Sequence, residues 1–184
     1  VIIDDSYIRV QNYIQSHKRQ AQEYWQDKLQ EVTANDFSVL LTTDKNINNI
    51  KSLDDNYTQS LTIGSDIYKK IKEITASLGI TTNTLLQFVW HKLINIYTQD
   101  QQTIVGTTVS GRDIAVDGIE DSVGLYINTL PLIVDWDNDN TIKEQLEYLH
   151  RQITELSNHN YANLAQLQDQ GQRLFHSLFV FENY

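Results

Sequence analysis

The sequence predicts an α/β fold in which a layered mixed β-sheet is covered by helices, and three observations support this fold class. First, β-branched residues alternate with other small residues from Thr103 to Ser110, as in a β-strand. Second, the run from Leu125 to Asp135 is almost continuously apolar and β-branched, which is typical of a strand buried on both faces. Third, strand-like and helix-like patterns alternate along the chain. We therefore expect interior strands, joined by a polar loop, with helices packed on the sheet.

The first third of the chain contains one long helix and one strand pattern. Apolar residues recur at three-, four- and seven-residue intervals from Ser6 to Gln30, which predicts a helix with a single apolar stripe. The stretch from Glu31 to Asn56 has no sustained period and is expected to be mostly irregular, with a short strand near Phe37 to Leu41. Tyr57 to Ile63 alternates cleanly, which predicts a strand with one covered face.

Two helices follow in quick succession. Ser65 is a suitable N-cap for the first helix, and Gly79 stands where a left-handed C-cap residue belongs. The apolar stripe between these two positions consists of Ile67, Ile71, Ile74 and Leu78. Thr82 or Asn83 then caps a second helix that has so little polar surface that we expect it to run through the interior as the central core helix.

The last third of the chain predicts two helices and a strand. Thr141 and Glu144 form a capping box at the start of a long amphipathic helix. A shorter helix is expected at Asn163 to Gln168, and His176 to Asn183 has the pattern of a buried strand. Pro131 lies inside the second strand of the central pair. Because proline has no backbone N–H, it indicates a bulge, a strand end or a sheet edge at that point.

Length and composition restrict the class of protein. With 184 residues, of which 40% are hydrophobic, the chain suits a single domain spanning residues 1–184. Its net charge of −10 argues against a nucleic-acid or membrane partner, since such surfaces need clustered basic side chains. The absence of cysteine excludes disulfides, thiolate nucleophiles and cysteine-ligated zinc. Neither a signal peptide nor a run of about 18 apolar residues is found, so we expect a cytoplasmic protein.

Few polar residues have the spacing that a metal site requires. The histidines are scattered, with no two of them spaced as metal ligands, at His17, His91, His150, His159 and His176. We therefore expect no metal site, and we interpret the histidine of the polar turn near Asn158 as a surface residue. Three aspartates resemble a calcium loop at first sight: Asp135, Asp137 and Asp139. Because the glycine and glutamate of such a loop are missing, turn and helix-start roles are favoured.

The loop between the two central strands holds the remaining candidates. Glu120 and Asp121 could act as an acid–base pair, but solvated carboxylates are the favoured interpretation. Neither a nucleophile elbow nor a phosphate or dinucleotide loop is present. Arg112 places a permanent cation at the end of a buried strand, where it must find a carboxylate or a similar acceptor. From the spacing alone, a functional role and a surface pairing with Asp113, Glu120 or Asp121 are equally supported.

Six strings, in a consistent order and at similar separations, resemble the condensation domains of nonribosomal peptide synthetases. Three resemble the later motifs of that family: VSGRD at 109–113, VGLYINTLPLIV at 123–134 and HSLFVFENY at 176–184. Three resemble its intervening segments: SYIRVQNYIQ at 6–15, AQEYWQDKL at 21–29 and SNHNYANLAQLQ at 157–168. The resemblance implies a chloramphenicol-acetyltransferase-like fold of two lobes facing each other across a tunnel, of which this chain is most of the second, C-terminal lobe.

The family's hallmark HHxxxDG belongs to the first lobe, and this chain has no adjacent pair of histidines. The resemblance therefore implies a C-terminal-lobe fragment truncated at both ends, with no catalytic residue of its own. Arg112 matches the arginine that pairs with the aspartate of HHxxxDG and supports the active-site loop. Asn128 matches the asparagine that faces the tunnel.

The implied activity is amide-bond formation between two thioester-bound substrates. Each substrate is carried on the phosphopantetheine arm of a donor or acceptor peptidyl carrier protein, and no cofactor is expected on this chain itself. The missing N-terminal lobe is the other implied partner. Two alternatives stay open: a noncatalytic recruitment module of the same fold, and an epimerization domain, which NTLPL at 128–132 makes the less favoured of the two.

Overall fold

The computed structural model describes residues 5–40, 47, 57–168 and 173–182 of the chain. The described helices are α1 (Ser6–Lys28), α2 (Ser65–Leu78), α3 (Thr82–Thr98), α4 (Ile142–Asn158) and α5 (Leu164–Leu167), with a 3-10 turn at Ser38–Leu40. The described strands are β1 (Gln102–Val109), β2 (Asn128–Asp135) and β3 (Leu178–Phe179). None of these helices is long and apolar enough to cross a membrane.

The chain divides into two compact units. Unit 1 contains Val1–Ala34, Ile104–Leu132 and Gln152–Tyr184, and unit 2 contains Asn35–Thr103 and Ile133–Arg151. Strands β1 and β2 each pass from one unit into the other. The prediction of a single domain over residues 1–184 stays a prediction.

The three strands form a small mixed sheet in the order β2-β1-β3. β1 pairs in parallel with β3, with Gly106 opposite Leu178, and the Gly106 N–H donates to the Ser177 carbonyl at 2.9 Å. A Cβ on Gly106 would lie 2.3 Å from the Phe175 ring, so glycine is needed for this close approach. Within the described sheet, β2 is an edge strand, which is one of the settings that Pro131 indicated.

The first and last predicted helices of the chain are confirmed. α1 buries Val10, Ala21 and Trp25 along one stripe. At the start of α4, the Thr141 hydroxyl and N–H donate to the Glu144 carboxylate at 2.7 and 2.8 Å, which is the predicted capping box. These hydrogen bonds from Thr141 lower the pKa of Glu144. The short helix α5 lies inside the predicted range, capped by the Asn163 side chain.

The helix boundaries in unit 2 are partly as predicted. Gly79 has a φ of 64° and ends α2 in the left-handed conformation, as expected. Gly64 is the N-cap of α2, so Ser65 is its first residue and not its cap. Thr81 caps α3, since its hydroxyl accepts from the Thr84 N–H at 3.0 Å. The predicted caps Thr82 and Asn83 therefore lie inside α3, because Thr81 offers the same hydroxyl at the point where the backbone is still extended.

The prediction that α3 is a central core helix is wrong. Its buried residues are mostly polar: Thr84, Gln87, His91 and Ile94. Four of the apolar residues that suggested burial are exposed: Val89, Trp90, Leu93 and Ile96. Tyr97 on the same helix is exposed as well. The hydropathy pattern correctly predicted a helix with a wide apolar surface. It did not show which side of the helix is buried within this chain.

Three strand predictions also need correction. Instead of a strand near Phe37 to Leu41, Ser38–Leu40 forms a 3-10 turn, because the Asp36 carboxylate accepts from the Ser38 N–H at 2.8 Å; Leu41 lies outside the described residues. Tyr57 to Ile63 is exposed and has no assigned secondary structure, and in the described chain it pairs with no strand. Of the predicted strand His176 to Asn183, only Leu178–Phe179 pairs, and Asn183 is not described.

Candidate functional site

The loop between β1 and β2 begins with a glycine that no other residue can replace without strain. Gly111 has a φ of 69°, in the left-handed region. A Cβ at this position would lie 1.7 Å from the main-chain oxygen of Tyr126. The start of the loop is therefore pressed directly against the segment that leads into β2.

Arg112 is held by main-chain oxygens of its own loop. Its Nη1 donates to the Ser122 carbonyl at 3.0 Å and also to the Ile119 carbonyl. The guanidinium lies over the ring of Tyr126, with 4.4 Å between its carbon and the ring centroid, which is a cation–π contact. Arg112 thus closes the loop on itself from the end of β1.

Tyr126 is the buried anchor of this arrangement. It is 8% exposed and belongs to a core cluster with Val10 and Ile119. Its hydroxyl lies 2.6 Å from the Ser122 hydroxyl, which fixes the ring at its polar end. The sequence reasoning missed Tyr126 and Ser122, and the only available signal was an aromatic residue just before a predicted buried strand.

The pairing of Arg112 with a neighbouring acid is not what the structure shows. Asp113 instead accepts from the Ser110 hydroxyl at 3.0 Å. Glu120 and Asp121 are both exposed, as expected of solvated carboxylates. Among the residues that the structure describes, no carboxylate lies within ion-pair distance of Arg112. Its positive charge is therefore neutralised by no acid of this part of the chain.

Asn128 starts β2 and ties it to the turn between α4 and α5. Its Nδ2 donates to the carbonyls of Asn160 and Ala162, both at 2.7 Å. Its Oδ1 accepts from the Thr129 N–H at 2.8 Å. All three of these hydrogen bonds join the Asn128 amide to main-chain atoms. Asn128 therefore orders the turn around Tyr161.

The other polar residues that were candidates for a site form contacts that are typical of structural residues. His159 stacks on Tyr24 at 3.8 Å between ring centroids, and its Nδ1 lies 3.0 Å from the Glu155 carbonyl. Burial, followed by the charge of Glu155, raises the pKa of Tyr24. The Asp135 carboxylate accepts hydrogen bonds from the side chains of Gln102 and Tyr148, which is a structural role at the end of β2. Within the described ranges, no group of three His, Asp or Glu residues is arranged to hold a metal ion.

Unit 1 also contains an open groove of about 620 Å³ between α1 and the segment that leads into α5. Its lining combines apolar side chains with amide side chains and one cation, Lys18. The groove residues include Gln15, Gln22, Trp25, Gln26, Tyr161, Asn163 and Gln166. Sequence reasoning missed this groove, because it depends on a turn whose position relative to α1 is set by contacts distant in sequence.

Comparison with known proteins gives one family. The family model described as "Condensation domain" matches residues 5–184. N-(5-amino-5-carboxypentanoyl)-L-cysteinyl-D-valine synthase of Amycolatopsis lactamdurans is 34% identical over 191 residues, which cover 99% of this chain and 5% of that protein. Bacitracin synthase 3 of Bacillus licheniformis is 31% identical over 180 residues, which cover 94% of this chain and 3% of that protein.

Solved structures give the same fold. The first condensation domain of the calcium-dependent antibiotic synthetase, in complex with substrate analogue 2a, has a TM-score of 0.73. The likeness covers 96% of this chain and 39% of that one at 14% identity, so it concerns the fold alone. The fold is the chloramphenicol-acetyltransferase-like fold of such domains.

The chain spans 5% or less of the length of these two curated relatives. The match to the family model nevertheless runs from Asp5 to the last residue of the sequence, Tyr184. It includes the loop held by Arg112, the start of β2 at Asn128 and the strand β3. The chain therefore belongs to the condensation-domain family of nonribosomal peptide synthetases.

Proposed function

We propose that this chain is most of the second lobe of a condensation domain that forms an amide bond between two carrier-bound substrates. The observation that carries the proposal is the family match over residues 5–184. The donor acyl group and the acceptor aminoacyl group arrive on phosphopantetheine arms of two carrier proteins, and the first lobe completes the tunnel in which they meet. Carrier proteins and the first lobe are thus the proposed partners, and the cytoplasm is the proposed compartment.

The proposed reaction balances without a further reactant. The amine nitrogen of the acceptor attacks the carbonyl carbon of the donor thioester, a C–N bond forms, and the C–S bond breaks. The amine loses a proton, and the donor thiolate leaves and is protonated to the thiol. Because the thioester is already reactive, the main tasks are positioning, deprotonation of the amine and stabilisation of the oxyanion. The proposed catalytic histidine belongs to HHxxxDG in the first lobe, so residues 1–184 alone should be inactive.

Arg112 is the proposed tether between this lobe and the active-site loop of the first lobe. Its Nη1 is engaged by the carbonyls of Ile119 and Ser122, and its plane is stacked on Tyr126. In the described chain, its Nε and Nη2 carry no hydrogen bond, which leaves two donors on one side of the guanidinium. That geometry suits a carboxylate, which accepts two parallel bonds from an arginine. The aspartate of HHxxxDG is the proposed acceptor.

Asn128 is proposed to shape a wall of the tunnel. The Asn128 Nδ2 donates to two main-chain carbonyls, both at 2.7 Å. Because both amide hydrogens are used in this way, Asn128 orients the neighbouring main chain and does not bind substrate through Nδ2. In this role it is a positioning residue.

The test uses the complete condensation domain with loaded donor and acceptor carrier proteins, and it measures dipeptide formation. Arg112→Ala should lower kcat by about 10- to 100-fold, in line with losing a charged hydrogen-bonded pair worth roughly 1.5–3 kcal/mol. Arg112→Lys keeps the charge but not the fork and should recover only part of the rate. The matched control is Arg19→Ala, since the Arg19 side chain is 89% exposed and, among the described residues, forms a single surface ion pair, with Glu23.

Carrier binding separates this role from a general loss of structure. Arg112→Ala should leave the Kd for both carrier proteins within about two-fold, because the tether acts inside the domain. If kcat and stability are both unchanged in Arg112→Ala, Arg112 does not act as the tether. Product formed by residues 1–184 alone would place the chemistry in this lobe. A complete wild-type domain that binds carrier proteins without product, or that only scrambles the donor Cα, would instead be a recruitment module or an epimerization domain.

A further inference from the structure

Three residues of the loop between β1 and β2 contact one another in a closed triangle. The Ser122 carbonyl accepts from Arg112 Nη1 at 3.0 Å, and the Ser122 hydroxyl lies 2.6 Å from the Tyr126 hydroxyl. The third side is the cation–π contact between the Arg112 guanidinium and the Tyr126 ring, at 4.4 Å. We call Arg112, Ser122 and Tyr126 the loop triangle. Each of its members restrains the other two.

The hydrogen bonds of Arg112 hold only one end of its guanidinium. Both bonds, to the carbonyls of Ile119 and Ser122, are donated by Nη1. An N–H···O bond tolerates a tilt of about 30° before it weakens markedly. A pair of donors that must meet a carboxylate needs an orientation fixed to within about 10–20°. The two bonds alone therefore do not aim the opposite edge of the group, which carries Nε and Nη2.

The Tyr126 ring supplies the missing restraint. It contacts the guanidinium at the central carbon, so a tilt about Nη1 would press the group into the ring or pull it away. The ring is itself closely confined. A Cβ on Gly124 would lie 2.9 Å from Tyr126 Cζ, and the Tyr7 ring of α1 lies 5.9 Å away between centroids. At its polar end, the ring is held by the Ser122 hydroxyl.

We propose that Tyr126 and Ser122 are positioning residues for Arg112. The ring sets the tilt of the guanidinium, and the pair of hydroxyls holds the ring in place, so that Nε and Nη2 are aimed at a carboxylate before it arrives. The inference rests on the proposed tether between the two lobes and adds how that tether is oriented. Donors that are already ordered lose less entropy when the pair forms, so the benefit should appear in kcat and not in carrier binding.

A double-mutant cycle in the complete domain, with loaded donor and acceptor carrier proteins, tests this role. Tyr126→Leu removes the ring and should lower kcat by about 5- to 30-fold, as expected for a partly desolvated cation–π contact. The KM for each carrier should stay within about two-fold. In the Arg112→Ala background, Tyr126→Leu should lower kcat no further, because the ring acts through the guanidinium. An equal loss in both backgrounds would overturn the proposal.

The conservative variant should rescue the rate. Tyr126→Phe keeps the ring and loses only the hydroxyl, so kcat should fall by less than about three-fold. Ser122→Ala removes the same hydroxyl pair and leaves the carbonyl, so the two changes combined should cost no more than either alone. If Tyr126→Phe lowers kcat as much as Tyr126→Leu does, the ring face is not the positioning element. Tyr126→Met fills similar space without a ring and serves if the leucine variant does not fold.

Val10→Ala is the matched control for looser packing. Val10 is 2% exposed and belongs to the same core cluster as Tyr126, but it offers no ring to Arg112. The substitution should lower Tm and leave kcat within about two-fold, measured well below the unfolding transition. If Val10→Ala lowers kcat as much as Tyr126→Leu does, loosening of the core explains the loss and the positioning role is wrong.

Arg112→Ala separates this inference from the proposed function. An unchanged kcat in Arg112→Ala would remove the tether, and the positioning role would fall with it. A reduced kcat in Arg112→Ala together with an unchanged kcat in Tyr126→Leu would overturn the positioning role alone and leave the tether in place.

Discussion

Units 1 and 2 arrange their helices in opposite ways. In unit 1, α1 buries Val10 and Trp25, while its polar side faces solvent. In unit 2, α3 buries Gln87 and His91 and exposes its apolar side. The difference teaches that the apolar stripe of α1 is covered within unit 1, whereas α3 finds partners within unit 2 for its polar side. Predictions that compare equivalent residues in the two units can therefore test how complete each unit is.

Two glycines with the same backbone conformation should respond very differently to alanine. Gly111 of unit 1 and Gly79 of unit 2 have φ values of 69° and 64°. At Gly79 an added Cβ has nothing within 4 Å, so Gly79→Ala should cost only the left-handed penalty of about 1–2 kcal/mol. At Gly111 the Cβ meets the Tyr126 main-chain oxygen, and the loop must open, so Gly111→Ala should cost more than about 4 kcal/mol.

Urea unfolding of the two alanine variants measures this difference directly. Gly111→Ala should also release Arg112 from Tyr126, since the two contacts share one loop. Equal losses of unfolding free energy at the two glycines would show that the loop of unit 1 is less tightly packed than its geometry implies.

Two of the three tryptophans give the next comparison. Trp25 on α1 is 1% exposed, and its Nε1 donates to the His159 carbonyl at 3.3 Å. Trp25→Ala should therefore lower the free energy of unfolding by about 3–5 kcal/mol. Trp90 on α3 is 39% exposed, so in residues 1–184 Trp90→Ala should cost less than Trp25→Ala does. Thermal or urea unfolding of both variants checks the contrast, and a larger loss at Trp90 would mean that the Trp90 ring is better covered than its exposure indicates.

The sequence predicts helices and caps well because those signals are local. The stripe of α1, the left-handed end at Gly79 and the capping box of Thr141 and Glu144 each depend on residues within a few positions of one another. The side of α3 that is buried could not be predicted in this way. An apolar stripe predicts that something covers it, but local periodicity does not show whether the covering residues lie in residues 1–184.

The candidate site shows the same limit. A cation at the end of β1 follows from the order of residues around Gly111 and Arg112. The cation–π contact with Tyr126 and the bond from Ser122 to Tyr126 join residues across a loop with no repeating pattern. Alternation likewise predicted a strand at Tyr57 to Ile63, but a strand requires a second strand to pair with, and the described chain offers none to this segment.

The buried polar side of α3 should make the stability of unit 2 depend on pH. His91 is 1% exposed, its Nδ1 lies 2.8 Å from the Thr103 hydroxyl, and Trp136 Nε1 donates to the same hydroxyl at 2.9 Å. Burial lowers the pKa of His91 from 6.5 to about 3, because the charged imidazole would lose its hydration. Below about pH 6.5, the unfolded chain binds a proton that the folded chain does not. The stability that neutral His91 provides is therefore complete above that pH and is lost as the pH falls toward 3.

Urea unfolding between pH 6.5 and pH 5 measures this loss before most carboxylates titrate. The slope from His91 should rise from about 0.7 kcal/mol per pH unit at pH 6.5 toward about 1.4 at pH 5, or about 1.6 kcal/mol over the interval, and His91→Gln should lack it. Ile94→Val is the control, because it removes one buried methyl from the same helix and should lower stability by about 1 kcal/mol equally at every pH. If His91→Gln keeps the wild-type slope, the proton is taken up elsewhere, and the buried side of α3 is not the source of the pH dependence that separates unit 2 from unit 1.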